Sequence, residues 1–172
     1  RAANGGRTRA SGYRMAMRAF ALAERFSLPL ITLVDTPGAA TDAAAEGAGI
    51  TGAVAESLAR LGRLRTVVIN VVVGEGGSGG ALALSVGDRL LMMENAIFSL
   101  VGPEAATTIL YRDSAHAQEV ASQLKLTARD LLGLRLVDRV VAEQPAGHEA
   151  PEMMGKMVRQ ALAEELANLE HM

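Results

Sequence analysis

The sequence predicts an α/β fold with a mainly parallel sheet, and three observations lead to this prediction. Two nearly all-apolar runs, at 28–35 and 66–73, have the composition of strands buried on both faces. They alternate with segments whose apolar residues recur at helical spacing, as in chains that form parallel sheets with crossover helices. The 172 residues, 49% of them apolar, suffice for a single domain over 1–172. We expect this domain to be part of a longer chain or of a fused polypeptide.

Local signals predict the elements of the first half in order. Residues 1–10 are basic and aperiodic and predict a loop, after which Ser11 is expected to cap a helix that runs to about residue 27. One face of this helix carries the apolar residues Tyr13, Met17, Phe20 and Ala23. The strand at 28–35 leads into a loop of small residues. A second helix follows at 50–61, and Gly62 is expected to end it.

The second half continues the alternation. The strand at 66–73 precedes a glycine-rich segment and a short helix over 79–86. Two short strands are predicted in "RLLMMEN" and "AIFSLV", and Pro103 suits the first turn of a helix at 103–111. The remaining predictions are helices at 115–124, at 128–135 with Thr127 as cap, and at 150–170, and a strand at 136–142.

Composition excludes several classes of protein. The chain has no cysteine, so it has no disulfide framework, Cys-ligated zinc or thiol nucleophile. Its net charge of −2 gives no indication of nucleic-acid binding. No apolar run reaches the ~18 residues that span a membrane, and the N-terminal segment lacks the apolar core of a signal peptide. We expect a cytoplasmic protein without a membrane anchor.

Two glycine-containing loops begin where successive predicted strands end. One is "DTPGA" at 35–39 and the other is "GEGGSGG" at 74–80. Ligands of open α/β sheets collect at the carboxyl ends of strands, so the two loops predict a shared site. Tight turns without a ligand are the simpler alternative. A GTP-binding reading fails because the only Gly-Lys pair, at 155–156, is followed by Met157 and not by Ser or Thr.

A dinucleotide site is a second interpretation of the glycine run. Gly74, Gly76 and Gly79 fit the spacing G-x-G-x-x-G, and Glu94 lies where a ribose-binding acid is expected. The predicted helix after the glycines is short for a crossover helix. This interpretation also leaves "DTPGA" unexplained, so it stays a weaker alternative.

An oxyanion hole is the third interpretation. Bare N–H groups at the start of a helix converge on one point, and glycine lets a planar ligand approach them closely. A serine nucleophile at Ser78 is a further alternative, because "GGSGG" matches Gly-x-Ser-x-Gly. It would need a histidine partner, and the histidines at 116, 148 and 171 fall away from both strand ends.

Three stretches in the right order carry a family resemblance. They are "SGYRMAMRAFALAERFSLPLITLVDTPGA", "VVINVVVGEGGSGGALALSVGDRLLMMENAIFSLVGPE" and "LKLTARDLLGLRLVDRVVAEQPAGHE". The sequence resembles the carboxyltransferase α subunits of bacterial acetyl-CoA carboxylase, over roughly their second half. The resemblance implies the crotonase/ClpP-like fold, a spiral of ββα units.

The resemblance also implies a reaction and partners. Family members move a carboxyl group from carboxybiotin, carried on a biotin carboxyl carrier protein, to acetyl-CoA and form malonyl-CoA for fatty acid synthesis. A biotin carboxylase supplies the carboxybiotin. A β-type subunit holds the acyl-CoA thioester and carries a Cys-ligated zinc, so no metal is expected in this chain. An oligomer is implied, and a non-catalytic scaffold for a β-type partner is the alternative.

The resemblance assigns roles to six residues. Gly79 and Gly80 match the glycines whose N–H groups bind the biotin ureido oxyanion, and are the expected catalytic residues. The expected substrate-binding residues are Gly38, Ala39, Gly76 and Gly77. The sequence departs from the family after "DTPGA", where Ala40, Thr41 and Asp42 replace Tyr-Pro-Gly. This departure leaves the acyl-CoA preference open.

Overall fold

In the computed structural model, which describes residues 4–113 and 116–170, five strands form one sheet. All pairings between these strands are parallel, in the order β1-β2-β3-β5, and β4 pairs with the glycine-rich end of β2. The strands are β1 Leu30–Thr36, β2 Val68–Gly77, β3 Arg89–Met93, β4 Ile97–Ser99 and β5 Arg139–Val141. The predicted mainly parallel α/β architecture is therefore confirmed.

Eight α-helices accompany the sheet within the described residues, after a 3-10 turn at Asn4–Gly6. They are α1 Ala10–Phe26, α2 Ala43–Gly47, α3 Ile50–Leu61, α4 Ser78–Leu82, α5 Pro103–Tyr111, α6 Ala117–Gln123, α7 Ala128–Gly133 and α8 Pro151–Glu170. Seven of them, all except α2, were expected as longer segments or with near-identical bounds. The predicted start of α6 at residue 115, and residues 1–3 of the predicted N-terminal loop, lie outside the described residues.

The helices cover the two faces of the sheet differently. On one face, the Asn70 amide donates to the Thr32 hydroxyl at 2.7 Å and to the Leu84 carbonyl at 3.0 Å, which fixes the segment after α4 against β1 and β2. On the other face, α8 packs through Met154 and Ala161 on the core strands. The core is aliphatic, as a sequence with 3% aromatic residues requires.

Ion pairs fix α8 at the amino ends of β3 and β5. Glu165, largely buried, lies 3.4 Å from Arg89 and 3.3 Å from Arg139. Arg139 also pairs with Glu164 at 2.7 Å, and these contacts raise the pKa of Arg139 further. The carboxyl ends of the same strands, where ligands collect in this class of fold, stay clear of these charges.

Several local predictions need correction. Ser11 does not cap α1, because the helix begins at Ala10 with Arg9 in the cap position. Helix α2 lies within the predicted small-residue loop, where the Asp42 carboxylate accepts from the Ala45 N–H at 2.9 Å and caps it. The cap at Thr127 is confirmed, since its hydroxyl oxygen accepts from the Asp130 N–H at 3.3 Å.

The expectation that both long strands are buried on both faces is correct only for β2. Strand β1 lies at the edge of the described sheet, and its Leu33 side chain is 63% exposed. Strand β2 continues to Gly77 instead of ending near residue 73, so the first glycines of the run belong to the strand. Helix α4 is accordingly displaced, beginning at Ser78 and ending at Leu82.

Candidate functional site

The two glycine loops predicted to share a site are in direct contact. A Cβ atom on Gly80 would collide with the backbone nitrogen of Ala39 and would lie 2.7 Å from the carbonyl carbon of Gly38. A Cβ on Gly77 would collide with the Pro37 carbonyl. Gly38 itself has a φ of 133°, a backbone conformation that residues with a side chain strongly disfavour. Glycine at these positions is thus required for the loops to pack against each other.

The N-terminal segment holds the loop after β1 in place. The Ala40 N–H donates to the Thr8 carbonyl at 2.9 Å, and the Thr8 N–H donates to the Gly38 carbonyl at 3.3 Å. The Thr36 hydroxyl lies 2.7 Å from the Gly6 carbonyl oxygen and accepts from the Gly38 N–H at 3.0 Å. Hydrogen bonds to the Thr36 hydroxyl and from the Thr8 N–H therefore fix the conformation of Gly38.

A buried tyrosine lies behind the contact between the loops. The Tyr13 hydroxyl donates to the Gly80 carbonyl at 2.9 Å, and its side chain has no solvent exposure. Burial raises the pKa of the Tyr13 hydroxyl above its ordinary value, and a bond from the Thr8 hydroxyl offsets part of this rise. Tyr13 is therefore protonated at neutral pH and acts as a donor.

A cleft of about 430 Å³ opens beside the glycine run. Its walls include Gly76 and Gly77, at the end of β2 where β1 and β4 pair with this strand. The start of α5 at Pro103 also lines the cleft. Gly38, Ala39, Gly79 and Gly80 do not line this cleft. Gly80 is buried behind it, whereas a Cβ on Gly79 would meet no atom within 4 Å, so Gly79 faces open space.

Backbone groups dominate the chemistry that the cleft offers to an anion. Its walls include the carboxylates Glu75 and Glu104, and no Lys, Arg or His lines it within the described part of the chain. The N–H groups of Gly79 and Gly80 belong to the first turn of α4, where an α-helix leaves its donors without intrahelical acceptors. Ser78, the first residue of the same turn, lines the cleft, and Gly79 and Gly80 follow it directly.

Ser78 has the strained backbone conformation of a strand-to-helix turn, but none of the described histidines is placed to act as its general base. Its φ is 61° and its side chain is exposed between β2 and α4. His116 lies against the Tyr111 ring and pairs with Glu119, and His148 is exposed beside Glu149. His171 lies outside the described residues. Within the described residues, the structure gives a serine nucleophile no histidine partner.

The geometry disfavours a dinucleotide site. Gly74 and Gly76 are part of strand β2 and do not form a phosphate-binding turn before a helix. The Glu94 carboxylate accepts from the Glu143 N–H at 3.1 Å and pairs with Arg129 at 3.1 Å. These contacts lower the pKa of Glu94. Glu94, which was expected to bind a ribose, instead connects the end of β3 to the end of β5.

Residues 40–42, where the sequence departs from the expected family pattern after "DTPGA", have a defined structure. Asp42 both caps α2 and pairs with Arg9 at 3.4 Å, and Ala40 is buried beside Tyr13 in the same apolar cluster. Ala40 and Asp42 thus form a core contact and a helix cap.

A second, apolar cleft of about 700 Å³ lies between the sheet and α8 and was not predicted from the sequence. Ile31, Leu33 and Val73 form its floor, and Met154 and Leu162 form its wall. The sequence signal for this cleft was the continuous apolar run of β1, which had been interpreted as a strand buried on both faces. Across the described ranges, no helix is long and apolar enough to traverse a bilayer, and no cluster of three or more His, Cys, Asp or Glu residues suits a metal ion.

Solved structures of three other proteins have the same fold as this chain. The beta subunit of geranyl-CoA carboxylase from P. aeruginosa matches with a TM-score of 0.76 and 18% identity, covering 94% of this chain and 32% of that chain. Transcarboxylase 12S matches with a TM-score of 0.72 and 21% identity, covering 91% and 32%. A Pseudomonas malonate decarboxylase hetero-tetramer matches with a TM-score of 0.75 and 23% identity, covering 92% and 65%. These matches show that the chain has the crotonase-like fold, as the resemblance implied.

Sequence relatives then define the family. The family model described as "Acetyl co-enzyme A carboxylase carboxyltransferase-like" matches residues 1–172, and the chain belongs to this family. The acetyl-coenzyme A carboxylase carboxyl transferase subunit alpha of Xanthomonas campestris pv. campestris is 49% identical over 170 residues, which are 98% of this chain and 53% of that protein. The subunit of Thermus thermophilus is 45% identical over 168 residues, 97% and 54%. The chain spans about half the length of the curated relatives it matches.

Proposed function

We propose that this chain is the α-type part of a biotin-dependent carboxyltransferase that moves a carboxyl group from carboxybiotin to acetyl-CoA. The observation that carries the proposal is the direct contact between the loops at 35–39 and 74–80, in a chain that belongs to the carboxyltransferase family over its whole length. The contact between the two loops places the first turn of α4 at the carboxyl end of the sheet, beside an open cleft.

The proposed role of the site is to stabilise negative charge. When carboxybiotin loses CO₂, its ureido oxygen becomes an oxyanion that takes the α proton of the thioester, and the resulting enolate attacks CO₂. Gly79 and Gly80 would donate N–H groups to this oxyanion. Since no cationic side chain lines the cleft in the described residues, backbone donors are the available groups. One such donor is worth about 10²–10³ in turnover.

The other assigned residues shape the site in this proposal. Gly76 and Gly77 form the wall of the cleft along which the biotin ring would lie. Their lack of side chains lets neighbouring groups pack against β2, since a Cβ on Gly76 would collide with the Phe98 ring and one on Gly77 with the Pro37 carbonyl. Gly38 and Ala39 support Gly80 from behind. Of the six residues, we therefore propose a direct ligand contact for Gly76, Gly77 and Gly79, and an N–H donated from a buried position for Gly80.

The proposal includes partner proteins, because this chain would provide only the half of the active site that binds biotin. A β-type carboxyltransferase subunit or domain would hold the acyl-CoA thioester, and a biotin carboxyl carrier protein would deliver carboxybiotin formed by a biotin carboxylase. We further propose that residues 1–172 form a single domain of this cytoplasmic assembly. Biotin is then a substrate carried in on another protein.

Reconstitution tests the proposal. The full chain, a β-type partner and biotinylated carrier are mixed, and carboxyl transfer between malonyl-CoA and biotin is followed by acetyl-CoA release. We expect transfer only when both subunits are present. Turnover by this chain alone would contradict the division of the site. A complex that forms without transferring carboxyl groups to or from any tested short acyl-CoA would instead support a scaffold, and the altered loop at 40–42 is where such a loss would originate.

A further inference from the structure

Tyr13 connects α1 to the glycine loops from a position that no ligand can reach. Its side chain is fully buried, and 67 residues separate it in sequence from Gly80, whose carbonyl it binds at 2.9 Å. It does not line the cleft beside the glycine run. Any influence of Tyr13 on the reaction must therefore pass through the groups that it binds, which are the Gly80 carbonyl and the Thr8 hydroxyl.

Gly80 needs an external restraint because it has no side chain of its own. Glycine has access to more φ/ψ space than other residues, and no rotamer packing limits it. In this structure the Tyr13 oxygen lies 2.7 Å from the point where a Cβ of Gly80 would be, while Ala39 contacts that point from the other loop. The phenol thus occupies the space of the missing side chain and also binds the carbonyl.

The same phenol is linked to the second loop. The Thr8 hydroxyl bonds to the Tyr13 oxygen, and the backbone of Thr8 bonds to Gly38 at 3.3 Å and to Ala40 at 2.9 Å. The Thr8–Ala39 bridge belongs to this contact. A chain of hydrogen bonds therefore runs from the loop at 35–39 through Thr8 and Tyr13 to the peptide of Gly80.

We propose that Tyr13 is a positioning residue, whose hydroxyl fixes the Gly80 peptide and, through Thr8, the distance between the two glycine loops. The role in carboxyl transfer rests on the proposed function, in which Gly80 donates its N–H. A buried tyrosine that only fills the core would contribute to stability without affecting the orientation of this peptide. The two roles predict different results.

The test compares Tyr13→Phe with Tyr111→Phe, the same change at the other tyrosine of the chain, which is 44% exposed. Tyr13→Phe keeps the ring and removes the hydroxyl, which leaves the Gly80 carbonyl without this donor. In the reconstituted full-chain enzyme, we expect kcat to fall by about fivefold to tenfold. The KM for malonyl-CoA should stay unchanged because the partner holds the thioester. Tyr111→Phe should match the parent enzyme.

Hydrogen exchange followed by mass spectrometry gives a readout that does not require activity. In Tyr13→Phe, peptides covering 74–82 should exchange faster, while peptides from α8 should be unchanged. Thr8→Val, which removes only the second bond of the chain, should give the same pattern with a smaller amplitude. It also provides the test if Tyr13→Phe does not fold.

Each outcome decides the proposal. Faster exchange limited to the glycine loops, with a lower kcat and an unchanged KM, supports it. Unchanged exchange in 74–82, or faster exchange with an unchanged kcat, overturns it. If the parent enzyme transfers no carboxyl group, the proposed function fails, and the exchange pattern alone decides whether Tyr13 holds the loop.

Discussion

The Asp35 carboxylate accepts a hydrogen bond of 2.9 Å from the backbone N–H of Glu75, and this bond joins the carboxyl ends of β1 and β2. The register between these strands shifts at this point, from Val34 opposite Val72 to Thr36 opposite Gly76. Asp35 bridges the irregularity. Gly74 permits the approach, since a Cβ there would lie 2.6 Å from the carboxylate oxygen.

Asp35→Ala should therefore destabilise the glycine end of β2. We expect the free energy of unfolding, measured with urea, to fall by about 1 kcal/mol, the usual net contribution of a hydrogen bond. Asp35→Asn is the matched control, because its amide oxygen can still accept from Glu75. Equal losses in both variants would show that the backbone bond is not the source of the stability.

Gly79→Ala and Gly80→Ala should differ sharply although the two residues are adjacent. A Cβ on Gly80 collides with the backbone of Ala39, which cannot move without breaking the loop contact, so we expect a loss of about 3 kcal/mol in unfolding free energy. A Cβ on Gly79 meets no atom within 4 Å, and alanine suits a helix better than glycine. We expect Gly79→Ala to be neutral or slightly stabilising. Similar melting temperatures for the two variants would contradict the described packing.

The raised pKa of Tyr13 predicts an alkaline loss of stability. Above the ordinary tyrosine pKa of 10.0, the unfolded chain releases this proton while the folded chain retains it. The folded state then binds more protons, so its stability falls as pH rises. The contribution is fully present below the unfolded pKa and disappears as pH rises through the folded pKa. Urea unfolding of the parent chain and Tyr13→Phe should give a constant difference at lower pH that shrinks above about pH 10. A difference that stays constant to about pH 11 would contradict a buried donor.

Local signals in the sequence predicted those elements that depend on few residues. Pro103 at the start of α5 and Thr127 at the start of α7 are such cases, because a first turn and a cap need only neighbours in sequence. Helix α2 was missed although Asp42 is a good cap, because the small residues after it carry no apolar periodicity. The carboxyl end of β2 was placed too early because glycine has a poor strand propensity.

Tertiary contacts determine the features that the sequence did not predict. Strand β2 continues through its glycines because β1 and β4 pair with it there. The meeting of the two loops was expected from parallel topology, but the burial of Gly80 behind Ala39 was not. The link from Tyr13 to Gly80 spans 67 residues, and no local pattern indicates it. Tyr13 was predicted only as one apolar residue on a helix face.

Replacing a single N–H in the first turn of α4 tests the central claim most directly. Glycolic acid in place of Gly79, and separately of Gly80, exchanges the N–H for an ester oxygen and adds no side chain. The same change at Gly52, in the first turn of α3, is the control because it removes a comparable donor elsewhere. Carboxyl transfer by the reconstituted enzyme should fall by about 10²–10³ for an ester at either site position, and should be nearly unchanged for the control. Parental rates with esters at both 79 and 80 would contradict an oxyanion site at these glycines.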